Sequence, residues 1–103
     1  MKLTAKNNDK AIITLLNKLE QNLNIEELII KDNWKSDRCA IGLRSNIASS
    51  NLVYISTYEK PEGVYYYELE IENNKESIYD NIQEGEVHFN ELVKIIKSHL
   101  NLN

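Results

Sequence analysis

Between Tyr65 and Glu72 the chain alternates with a two-residue period. Tyr65, Tyr67, Leu69 and Ile71 occupy one phase, and Tyr66, Glu68, Glu70 and Glu72 the other. Glutamates at every second position cannot all be buried, so the first phase must face a core and the second water or a partner. This commits the chain to a sheet with one covered face, and two amphipathic segments can supply the cover. In residues 9–22, Ile12, Leu15, Leu16 and Leu19, with Leu23 just beyond, recur at helical spacing; Asn8 or Asp9 can accept hydrogen bonds from the first turn, and Asn22-Leu23-Asn24 ends the helix. In residues 89–100, Phe89, Leu92, Val93, Ile96 and Leu100 form a second stripe. His88 stands where a cap would, Glu91 follows three residues on, and Lys94, Lys97 and His99 lie where positive charge suits the helix dipole.

The remaining strands fall between these helices. Leu28–Lys31 is a short apolar run, and residues 38–44 alternate with Cys39, Ile41 and Leu43 on one side. Residues 45–51 predict a loop; residues 52–58 place Val53 and Ile55 opposite Tyr54, Ser56 and Tyr58. Glu59-Lys60-Pro61-Glu62-Gly63 predicts a turn, with Pro61 fixing φ and Gly63 tolerating an awkward backbone. Residues 73–86 are polar, opened by a turn at Asn73-Asn74, with room for a weak strand or extended arm around 77–82 anchored by Ile78 and Ile82. The expectation is a single α+β domain over residues 1–103. It is a two-layer sandwich in which an antiparallel sheet of three to five strands carries the N- and C-terminal helices on one face.

Composition narrows function mainly by exclusion. The chain is 42% apolar and 27% charged, as expected of a globular protein. The single cysteine, Cys39, rules out an intramolecular disulfide and is expected as a small buried hydrophobe. No signal-like leader and no run near the ~20 apolar residues of a membrane span is present, so a cytoplasmic location with no membrane contact is expected. Three glycines and one proline leave little material for a phosphate-cradling loop, and no Walker loop, dinucleotide fingerprint or nucleophile elbow occurs. His88 and His99 would face apart even on one continuous helix, which argues against a metal. Glu68 and Glu70, about 7 Å apart on a flat exposed face, lack the desolvation an acid–base pair needs. The expectation is a protein without catalytic residues, cofactor or metal, not an enzyme.

Charge is unevenly distributed. Residues 59–91 hold ten acids and two bases, while the rest holds ten bases and six acids. A nucleic-acid binder needs the opposite sign, so no direct nucleic-acid contact is expected, whereas a basic protein partner fits. The open sheet face would present Arg38, Arg44, Tyr54, Ser56, Tyr58 and Tyr66 beside Glu68, Glu70 and Glu72. Tyrosine and arginine are enriched at binding hot spots. The plainer reading is a solvated face whose neighbours support strand pairing. Trp34 is either a lid on the core or an exposed anchor.

An N-terminal Leu/Ile helix, then Asn33-Trp34-Lys35-Ser36-Asp37-Arg38 leading into a strand, a Tyr-bearing strand and a turn with Gly63 form a recognisable layout. A strand ending Glu68-Leu69-Glu70-Ile71-Glu72 follows, and the chain closes on Phe89-Asn90-Glu91-Leu92-Val93-Lys94-Ile95-Ile96. Over most of residues 9–100 this order resembles the TriTu-type immunity proteins of bacterial contact-dependent growth inhibition systems. The resemblance implies a cytoplasmic inhibitor that binds a cognate toxin nuclease domain, among them tRNA-cleaving enzymes that work with elongation factor Tu, and blocks its basic active-site surface. The toxin-binding surface expected here includes Glu62, Tyr58, Tyr66, Glu68, Glu70 and Glu72. Two other readings stay open: a small acidic adaptor or chaperone for a basic effector protein, and a small hydrolase using the Tyr/Glu face.

Overall fold

The computed structural model describes residues 10–23, 25–31, 39–45, 50–73 and 78–102. Trp34, Arg38, most of the expected 45–51 loop and the Ile78 side chain lie outside what is described. Helix α1 (Lys10–Asn22) leads through a short 3-10 turn into β1 (Leu28–Lys31), β2 (Ala40–Ser45), β3 (Asn51–Ser56), β4 (Val64–Asn73) and β5 (Ile78–His88), and α2 (Phe89–Leu100) follows. The strands form one five-stranded antiparallel sheet in the order β1-β2-β3-β4-β5. This is the expected α+β architecture.

Register explains the core. Ile41 pairs with Ile55 and Ile55 with Tyr67, while Leu43 pairs with Val53 and Val53 with Leu69, so one phase of three strands forms a continuous apolar surface. Ile12, Leu15, Leu16 and Leu19 of α1 and Leu92, Ile96 and Leu100 of α2 are buried in the same cluster, which places both helices on that face. Ile71 shares the phase but is 38% exposed at the rim, so the apolar phase of β4 is not buried along its whole length.

Several boundaries differ from expectation. The third strand ends at Ser56, which puts Tyr58 in a turn rather than a strand. Two tight turns follow: the Lys60 amide donates to the Thr57 carbonyl and the Val64 amide to the Pro61 carbonyl, each at 3.1 Å. Gly63 sits in the second at φ 86, a conformation that strains any other residue. Cys39 is half-buried, just before β2, and its carbonyl accepts the Thr57 amide at 2.9 Å. His88 caps α2 with extended backbone but no side-chain bond, so the expected capping box does not form through the imidazole.

The largest difference is β5. The segment expected as a weak arm is an eleven-residue strand paired with β4 throughout, and Ile82, expected as an anchor, is 57% exposed. Its partner phase supplies the missing packing: the Tyr67 ring lies over Gly85, where a Cβ would stand 3.2 Å from ring carbon Cε1. The Tyr67 hydroxyl accepts a 2.8 Å bond from Gln83 Nε2. Gly85→Val must displace this ring and is expected to cost about 1–3 kcal/mol, measured by urea unfolding.

The C-terminal end of α2 is closed by the sheet. Asn101 adopts the left-handed conformation at φ 58. The Ser45 hydroxyl donates to the Leu100 carbonyl and Asn51 Nδ2 to the His99 carbonyl, both at 2.8 Å. These bonds satisfy carbonyls that a helix end leaves without partners.

Candidate protein-binding face

The second phase of β4 points away from the helices. Tyr66, Glu68, Glu70 and Glu72 follow one another on it, and the register sets Tyr66 against Glu86, Glu68 against Glu84 and Glu70 against Asn81. A register shift at Leu69/Glu70 brings Asn81 beside Glu70. Two adjacent strands therefore place Glu68, Glu70, Glu72, Glu84 and Glu86 on one side of the sheet.

Neutral donors hold the like charges together. The Tyr66 hydroxyl donates to Glu68 Oε2 at 2.9 Å, with Glu84 Oε2 at 3.2 Å on the same oxygen. Asn81 Nδ2 donates to Glu68 Oε1 and Glu84 Oε1, each at 3.1 Å. Lys60 closes one end: its Nζ is 2.8 Å from Glu86 and 5.9 Å from the Tyr66 ring centre. Tyr54 meets Tyr66 edge-on, ring centres 6.4 Å apart.

The electrostatics follow from this crowding. Burial pushes the Tyr66 phenol well above its ordinary value, and its bond to Glu68 and the charges of Glu68 and Glu84 push further, so it stays a neutral donor. Burial also raises the Glu70 carboxyl, with the Glu68 charge adding to it. A carboxyl that titrates higher folded than unfolded contributes stability at low pH and loses it as pH rises through the folded value. Glu70→Gln is therefore expected to raise the melting temperature at about pH 7 and to give no gain near pH 3.5, read by thermal unfolding at both.

The expected open face is narrower than its strand phases imply. Ala40 and Leu52 are fully buried and Ser56 is 7% exposed, although all three face away from the helices. The side toward β2 and β3 is thus closed, Arg44 and Tyr54 are half-buried, and the acidic surface lies on β4 and β5, with Tyr66, Glu68, Glu70 and Glu72 half-buried and Glu84 and Glu86 exposed. The structure brings Tyr66, Glu68, Glu70 and Glu72 together. It does not bring Glu62 with them: Glu62 is on the second turn, lines a groove with Lys10, Thr14 and Lys18, and its charge, after burial, raises the Tyr65 phenol of the core phase. Tyr58 is 62% exposed in the first turn, beyond the end of β3. Glu84, Glu86 and Asn81 were the unrecognised members, although the two-residue spacing of Glu84 and Glu86 repeats the β4 pattern.

Both oxygens of Glu68 and both of Glu84 accept from the Tyr66 phenol or the Asn81 amide, so these two carboxylates are fixed in place. Among the described residues no group of three or more His, Cys, Asp or Glu is placed to hold a metal ion. No helix among them is long and apolar enough to cross a membrane. Comparison with protein families, curated proteins and solved structures finds no match for the chain.

Proposed function

We propose that this protein is a cytoplasmic immunity protein that neutralises a cognate toxin nuclease by direct binding, without catalysis and without a cofactor. The observation that carries the reading is the one-sided acidic surface of Glu68, Glu70, Glu72, Glu84 and Glu86 on β4 and β5. A nuclease must present cations to a phosphate backbone, and an acidic partner seated on those cations denies the substrate its site. Tyr66, held by Glu68 and Glu84, supplies rigid contact area at the centre of the charge. Elongation factor Tu enters this reading through the toxin.

The decisive experiment is co-expression with the product of the adjacent upstream gene. A stable complex and rescue of growth from that product support the reading; a product that is not growth-inhibitory but is stabilised by this protein supports the adaptor reading instead. Association should be steered by charge. Its rate constant is expected to fall about 10- to 100-fold between about 0.05 M and 0.5 M salt in stopped-flow measurements, and a salt-independent rate would remove the electrostatic basis of the proposal.

A further inference from the structure

β5 is a terminal strand of the sheet, and residues 80–84, Glu86 and His88 along it are exposed. The hydrogen-bond phase of β4 fixes which way its backbone points. The Glu72 amide donates to the Ser50 carbonyl at 2.7 Å, so the even-numbered residues of β4 bond to β3 and the odd-numbered ones to β5. Facing Tyr65 and Tyr67 are Val87 and Gly85, whose backbone groups are directed inward, while the Gln83 amide opposite Leu69 donates to Asn81 Oδ1 at 3.1 Å beside the register shift. Glu84 and Glu86 then turn their amides and carbonyls outward along the edge, while their carboxylates stand on the acidic face.

The other side of the same edge carries exposed isoleucines among polar groups: Ile82, 57% exposed, and Ile71, 38% exposed, line a hollow of about 460 Å³ with Ile95 and, on its polar side, Gln83, Lys94 and His99. No proline or lysine interrupts Ile78–His88, and the register shift ends at Gln83, leaving Glu84 to His88 regular. A second copy is a poor occupant, because antiparallel pairing of two β5 strands would set Glu84 and Glu86 against their own counterparts.

We infer that β5 accepts an extended segment of a partner protein as a sixth strand, one in which basic residues alternate with apolar ones. Its backbone pairs with Glu84 and Glu86, its basic side chains meet Glu68, Glu84 and Glu86, and its apolar side chains enter the hollow beside Ile82 and Ile95. Attribution of that segment to a toxin rests on the inhibitor reading; the edge geometry does not.

The test uses the full chain and two synthetic peptides of about nine residues, matching the regular length of a strand. One alternates lysine and valine; the other has the same composition with lysines and valines in separate blocks. The alternating peptide is expected to bind about tenfold more tightly and to slow hydrogen exchange at the Glu84 and Glu86 amides by about tenfold or more. Glu84→Pro, which removes an outward donor, should weaken it by about tenfold, and Glu84→Gln, which keeps the donor, by less. Equal binding of both peptides, or unchanged exchange at Glu84 and Glu86 on saturation, overturns strand addition. The exchange result needs no variant to fold. Should the upstream gene's product bind Glu84→Pro as tightly as the unaltered chain, strand addition falls and the inhibitor reading stands. Should the peptide add to the edge while that product forms no complex, the reverse holds.

Discussion

Replacing Glu68, Glu70 and Glu72 together with lysine is expected to abolish protection against the toxin while leaving the protein folded. Each lost contact with a buried cationic partner costs about 2–5 kcal/mol, so three reversals remove more than a typical complex can spare. The fold should tolerate them because all three side chains lie on the face away from the helices and outside the core cluster, the cost falling mainly at Glu70, half-buried opposite Leu52. Reversal at 68 sets a cation opposite Glu84, where a like-charge pair now stands, which offsets the loss of the bonds Glu68 accepts from Tyr66 and Asn81. Binding, growth protection and melting temperature of the triple variant should be measured together. Full protection by a folded triple variant would show that the toxin docks elsewhere.

The second large effect concerns stability. Ile96 is fully buried at the centre of the α2 stripe, among strand residues of the shared core. Ile96→Ala removes three carbons from a site closed on every side and is expected to cost about 2–5 kcal/mol. Domains of this size have about 5–15 kcal/mol in total, so the melting temperature should drop by roughly 10–30 °C. Ile13→Ala, at a position 41% exposed on α1, is the control and should change stability by no more than about 0.5 kcal/mol. Equal losses at the two positions would contradict the assignment of helix faces.

Most of the architecture was legible because burial here follows simple periods. Ile12, Leu15, Leu16 and Leu19 repeat at the helical period, Leu92, Ile96 and Leu100 do the same, and Tyr65, Tyr67 and Leu69 repeat at two. β5 was not legible for a physical reason. Its core phase contains Gln83 and Gly85, and its packing comes from a tyrosine ring on the neighbouring strand, so the segment shows no apolar alternation of its own. Half of the acidic face was therefore missed with it. The two-residue period of β4 carries no information on Glu62, which the Pro61-Gly63 turn takes to the groove beside α1. The closing of the far face over Leu52 and Ala40 was equally hidden, since alternation describes one covered side and gives no sign of a second. The bonds from Ser45 and Asn51 to the end of α2 span 55 and 48 residues and have no local signature.

His88 ends β5 and Phe89 begins α2, with no residue between them. A junction without slack makes the edge strand and the C-terminal helix one mechanical piece. The backbone that ends the edge strand therefore leads within four residues to Leu92, and within eight to Ile96, in the interior, so the placement of β5 fixes where the helix enters the core.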